Sequence, residues 1–133
     1  PAMLKRPLHP RFGPKVLAGI KRTTIRDTPW PLGKPIMLYH WTGKPYASPH
    51  QDVAVIEVEH TQPMEITVPA FGSPHYSPRT VAGQPLWQLE GFESQDAMDA
   101  WFLPLIKPGQ TIQKHLMLFK LLPTKNEEQP TKN

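Results

Sequence analysis

At 133 residues the chain is long enough to bury one core and too short for two domains. Cysteine is absent, which excludes disulfides, thiol catalysis and Cys-type zinc sites, and none of the six histidines pairs at the three-to-five spacing of helical metal ligands, so neither metal nor cofactor is expected. The net charge of +4 is uneven: residues 1–26 carry Lys5, Arg6, Arg11, Lys15, Lys21, Arg22 and Arg26 without one acid, while residues 27–133 come to −3.

A basic N-terminal segment of this kind is either simply solvated or turned towards an anionic ligand such as RNA or a nucleotide. No apolar run approaches the roughly 18 residues needed to span a bilayer, and no charged-then-apolar leader is visible. A cytoplasmic, monomeric protein without membrane contact is expected. Proline, at 18 of 133 residues, is spread along the chain at well over twice the usual share of roughly 5%, which argues against long helices.

In chain order, Met3-Leu4 and Leu8 supply a candidate edge strand within a proline-punctuated, basic lead-in. Gly13 to Ala18 fits a short helix, with Pro14 in its first turn and Gly19 as its stop. The next stretch, Lys21-Arg-Thr-Thr-Ile-Arg-Asp27, reads as a loop leading into a strand. In an extended segment Thr24 and Arg26 leave on one face and Thr23 and Ile25 on the other, which makes Ile25 the expected core anchor. Lys21 meets Thr24 only if the chain bends after Gly19, which a glycine permits. Taken alone, a Lys, a Thr and an Arg at a strand start are commonly solvated surface residues.

Thr28 to Gly33 is turn-rich and sets Trp30 between two prolines, as a wall or lid. Pro35 to Trp41, Asp52 to Thr61 and Met64 to Val68 are expected strands, the last two separated at Pro63. Pro69 to Pro85, with Pro74 and Pro78 inside it, is expected to be a long functional or mobile loop. Leu86 to Glu90 leads into Gly91-Phe92-Glu93, after which Ser94 caps a helix over Gln95 to Phe102 that Pro104 ends. Ala97, Met98, Trp101 and Phe102 form its core face. Ile112 to Leu122 is the closing strand, and 123–133, which repeats Pro-Thr-Lys-Asn and has no apolar residue, is expected to be a disordered tail after a single domain over 1–122.

The run Val16-Leu-Ala-Gly-Ile-Lys-Arg-Thr-Thr-Ile-Arg26, then Leu32-Gly33 before a strand, Glu90-Gly91-Phe92 before a helix with Trp101-Phe102, and a closing strand together resemble the ASCH domain. The resemblance covers about Val16 to Leu122. It implies an α+β fold, a PUA-like small β-barrel of mixed strands with short flanking helices, and a cleft for a nucleoside or RNA. Some proteins similar in this motif are amidohydrolases that remove the acyl group from N4-acetylcytidine with a lysine, a threonine and a glutamate. On that likeness Lys21 and Thr24 are the matching positions and Glu90 the third candidate, with Glu93 as runner-up. Other relatives are RNA-binding modules or ribonucleases, so both an enzyme and a binding module remain open.

Threonine is a weak nucleophile that needs a base, and Lys21 can serve if burial and its arginine neighbours favour the neutral amine. Backbone N–H groups of the bent 21–24 segment are the expected oxyanion donors. Glu90 is the candidate proton donor, although a carboxylate placed before a helix is favourable there in any case. Arg26 is expected to hold a carbonyl or phosphate, and Trp30, Tyr39 or Trp87 to stack on the pyrimidine or to be core.

Overall fold

The structure is a computed structural model that describes residues 3–123. The expected tail at 123–133 lies, apart from Pro123, outside the described residues. The chain forms β1 (Leu4–Pro7), a 3-10 turn (Pro10–Phe12), α1 (Gly13–Leu17), β2 (Thr23–Arg26), β3 (Pro35–Trp41) and β4 (His50–Val68). There follow β5 (His75–Ser77), β6 (Thr80–Val81), β7 (Gln84–Pro85), α2 (Leu86–Glu90), α3 (Gln95–Phe102), a second 3-10 turn (Leu103–Leu105) and β8 (Gln110–Leu121).

The fold is α+β, dominated by a six-stranded mixed sheet in the order β1-β3-β4-β8-β2 with β5 added to β4. β1 runs parallel to β3 and the remaining ladders of this sheet are antiparallel. The path is open: no ladder joins β1 to β2 among the described residues. Alternation sets the buried face, with Ile36 and Leu38 on β3, Ala54, Ile56, Val58, Met64, Ile66 and Val68 on β4, and Leu116 on β8 all buried. Phe12, Val16, Leu86, Phe92, Met98 and Phe102 from the turns and helices close over the sheet.

Several expectations change. Pro63 does not divide two strands; β4 runs unbroken for 19 residues. Its pairs with β3 end at Glu57 and those with β5 begin at Glu65, so Pro63 lies where only β8 pairs along the strand, a position at which a missing N–H is tolerated. The 69–85 segment is not a structureless loop, because β5 extends the sheet and β6 and β7 form a hairpin across Ala82 and Gly83. Both turn residues have positive φ, 52° and 80°, the sign that two-residue hairpin turns require. Glu90 does precede the expected helix, α3, but it is itself helical: it ends α2, and Gly91 at φ 94° is the left-handed cap. Ser94 does cap α3, accepting from the Ala97 N–H at 3.1 Å. Past α3 the chain tightens through Leu103–Leu105 before Pro108 and Gly109 turn it into β8.

Candidate functional site

Gly19, at φ 74°, turns the chain out of α1. The N–H groups of Ile20 and Lys21 then both bond to the Lys15 carbonyl, at 2.9 and 3.1 Å. Arg22 N–H donates to Leu89 O at 2.7 Å and Arg22 O accepts from Phe119 N–H at 2.9 Å, so the bend is tied to both α2 and β8. This pinning sends the Lys21 side chain inward, where only 4% of it stays exposed. It also engages the Lys21 and Arg22 amides within the chain, so those two expected oxyanion donors do not face a ligand.

Lys21 Nζ donates to Glu90 O at 2.8 Å, lies 3.5 Å from Glu90 Oε1 and sits 4.7 Å from the Phe12 ring centroid. A cation at the last carbonyl of α2 complements the dipole at that end, where the Glu90 carboxylate would otherwise be unfavourable. Glu90 is itself buried, and its other oxygen, Oε2, accepts from the Thr23 hydroxyl at 2.5 Å. The carboxylate is thus held by one partner on each oxygen.

Thr24 takes a different partner: its Oγ1 accepts from Arg26 Nε at 2.9 Å, as the shared strand face requires. The Arg26 guanidinium lies 4.7 Å over the Trp30 ring. Burial pulls the Lys21 amine below its ordinary value, with Arg26 adding to the shift and Glu90 opposing it. Burial likewise lowers Arg26, with Glu90 opposing and Arg6 adding.

Lys21, Thr24, Arg26 and Glu90 line one cavity of about 250 Å³, walled by Phe12, Phe92 and Trp101. Phe12 meets Phe92 and Trp101 edge-on at 5.3 and 5.4 Å, which fixes the aromatic wall. The residues that carry the amine, hydroxyl and carboxyl singled out from the sequence therefore line one cavity, brought to it by the 19–22 bend, β2 and the end of α2, and of the two threonines it is Thr23 that bonds Glu90.

Other expected residues lie elsewhere. Trp30 is buried, with the Arg26 guanidinium over its ring and its backbone N–H donating to Met117 Sδ at 3.0 Å, and does not line the cavity. Tyr39 is stacked on His50 at 4.0 Å on β3, also outside the lining. Trp87 packs against the core. Glu93 is exposed and paired with Arg11 at 2.9 Å and Lys15 at 3.3 Å, which removes it as the alternative to Glu90 in this cavity. Ile25 is only partly buried and touches the cavity, whereas Thr23, on the face assigned to the core, is fully buried.

Sequence reasoning missed Thr23 as the holder of Glu90 and Trp101 as a cavity wall. A second threonine beside Thr24 was the one visible signal for the first. Trp101 at helical spacing looked like core, and its partial exposure depends on where α3 packs. No protein-family model, no curated protein and no solved structure matches the chain.

Proposed function

We propose that the protein is an amidohydrolase that removes the acyl group from N4-acetylcytidine or related N4-acylated cytosine nucleosides, on a PUA-like barrel of the ASCH type. What supports this reading is one observation: Lys21, Thr24, Arg26 and Glu90, from distant parts of the chain, share a single aromatic-walled cavity. Its volume, below the roughly 300 to 1,000 Å³ of drug-sized pockets, suits a pyrimidine ring with its amide.

In this mechanism Thr24 Oγ1 attacks the acyl carbonyl. The bond from Arg26 Nε uses an oxygen lone pair of Thr24 and leaves its proton free for a base. Lys21, whose ammonium form burial disfavours, hands its proton to Glu90 across their 3.5 Å separation and, as the neutral amine, takes the proton of Thr24. The guanidinium of Arg26 supplies the donor for the developing oxyanion, a role the engaged amides of Lys21 and Arg22 cannot fill. Glu90 passes a proton to N4, the C–N bond breaks, and cytidine leaves with an ester remaining on Thr24. Lys21 returns its proton to Glu90 across their 3.5 Å separation and takes one from the water that attacks the ester, and Glu90 protonates Thr24 Oγ1 as the carboxylic acid leaves.

The RNA-binding alternative loses support from the charge pairing. Lys5 is bonded to Asp52 at 3.0 Å, and Arg11 and Lys15 to Glu93, so much of the basic segment already faces acids. Incubation with N4-acetylcytidine, followed by chromatography, should release cytidine. Thr24→Ala and Glu90→Gln should each slow release by about 10²-fold or more. Absence of turnover, or full turnover in Thr24→Ala, overturns the hydrolase; a salt-dependent association with RNA in its place would favour the binding module.

A further inference from the structure

A second groove, of about 430 Å³, adjoins the reaction cavity and shares Leu8, His9 and Arg26 with it. Its remaining wall is apolar and aromatic, lined by Pro7 and Pro10 together with Trp41 at the end of β3 and Tyr46 in the turn that follows. Tyr46 is 88% exposed and has φ 64°, a conformation few aromatic residues adopt. The turn that holds it there is closed by Thr42 N–H on Pro49 O, Gly43 N–H on Ser48 Oγ and Ser48 Oγ on Lys44 O, at 2.9, 2.9 and 2.8 Å. The Trp41 ring centroid is 5.1 Å from that of Tyr46 and is supported edge-on by His50 at 4.1 Å. No acid lines the groove.

The two sides of a bound amide are distinguishable here. Glu90, the proton donor to the leaving amine, lines only the reaction cavity, whereas Arg26, bonded to the nucleophile Thr24, lines both spaces. With the amine towards Glu90, the acyl chain on the other side of the carbonyl points past Arg26 into the groove. We propose that this groove is an acyl-group subsite and that Trp41 and Tyr46 select flat aromatic acyl groups, so that N4-aroylcytosines such as N4-benzoylcytidine are preferred over the acetyl compound. The assignment rests on the hydrolase reading for its orientation. An uncharged ring suits a wall of prolines and aromatics, which offers stacking area and few hydrogen-bond partners.

Calorimetric titration of Thr24→Ala protein with N4-benzoylcytidine, N4-acetylcytidine and cytidine tests the subsite without turnover. The benzoyl compound should bind roughly twofold to tenfold more tightly than the acetyl compound, and Tyr46→Ala and Trp41→Ala, made in the same background, should bring that ratio towards one. Tyr46 is so exposed that its replacement leaves the core untouched. Equal affinities, a ratio that survives both substitutions, or absence of binding overturns the subsite. So does an equal loss for plain cytidine, which would place the base in the groove. Hydrolysis of N4-acetylcytidine by the unmodified protein is read separately, so failure of the reaction and failure of the subsite are distinguished.

Discussion

Thr23 and Thr24 are chemically identical neighbours whose hydroxyls the strand sends to different tasks. Thr23 holds Glu90, and Thr24 accepts from Arg26 at the cavity. Removing a donor from a buried carboxylate leaves that oxygen unpaired, at a cost of about 1–3 kcal/mol. Thr23→Val, similar in shape, is therefore expected to lose that much unfolding free energy in a denaturant titration, and Thr23→Ser to recover most of it; equal stability of the valine variant would refute the bond. Lys21 makes a prediction in pH. Its folded-state amine titrates below the ordinary 10.5, so between the two values the unfolded chain binds more protons than the folded one. Unfolding free energy from this group rises with pH across that window and is complete only above 10.5. Tyr76 works in the opposite sense above its ordinary 10.0, since burial and its bond to Asp99 push its hydroxyl up. Lys21→Met keeps the stem and removes the charge, so the difference in stability between unmodified protein and variant should grow in favour of the unmodified protein as pH rises towards 10.5; parallel pH curves would contradict it. These roles were partly legible: Lys21, Thr24 and Glu90 are of the right types, but no spacing says which of two adjacent threonines a distant carboxylate will meet.

At the scale of elements, the site depends on how α2 ends. Gly91 is held at φ 94°, and a Cβ there would stand 3.1 Å from Lys21 Cβ and 3.3 Å from Phe12 Cδ1. Gly19 also has positive φ, yet a Cβ on it meets nothing within 4 Å. Both alanine substitutions incur the left-handed strain of about 1–2 kcal/mol, and only Gly91→Ala adds a clash with the lysine stem. Thermal melts should therefore rank Gly91→Ala below Gly19→Ala; the reverse order would remove the close approach as an explanation. The sequence shows Gly91 as a stop, but not of what, since five residues between Pro85 and Gly91 carry too little periodicity to announce a helix. The β6–β7 hairpin was hidden for a related reason: Ala82 occupies a position where Asn or Asp is the usual signal. The break at Pro63 was misread because proline interrupts a strand only where its absent N–H is needed, and pairing partners are a tertiary property.

Across the whole molecule, β4 and β8 form the longest ladder, with Met117 and Ile56 wholly buried along it, while the 42–49 turn is largely exposed. Hydrogen exchange should accordingly be slowest in β4 and β8 and fast in that turn; uniform protection would contradict this ordering. No helix among the described residues is long and apolar enough to cross a membrane. The basic segment shows how far charge can be read without coordinates. Its sign and position are plain in the chain, but Asp52 and Glu93 meet it only after folding. Local patterning sufficed for β3, α3 and β8 nearly to their ends, because strand alternation, helix capping and glycine turns act over a few residues, whereas the α+β class and the choice of Lys21, Thr24 and Glu90 as candidates rested on the motif resemblance. Tertiary structure alone decided which hydroxyl faces the cavity, that Trp101 rather than Trp30 walls it, and that Glu90 rather than Glu93 joins Lys21. Those outcomes depend on contacts between residues about seventy positions apart, such as Lys21 and Glu90, and long-range packing leaves no period or spacing in the chain to be read.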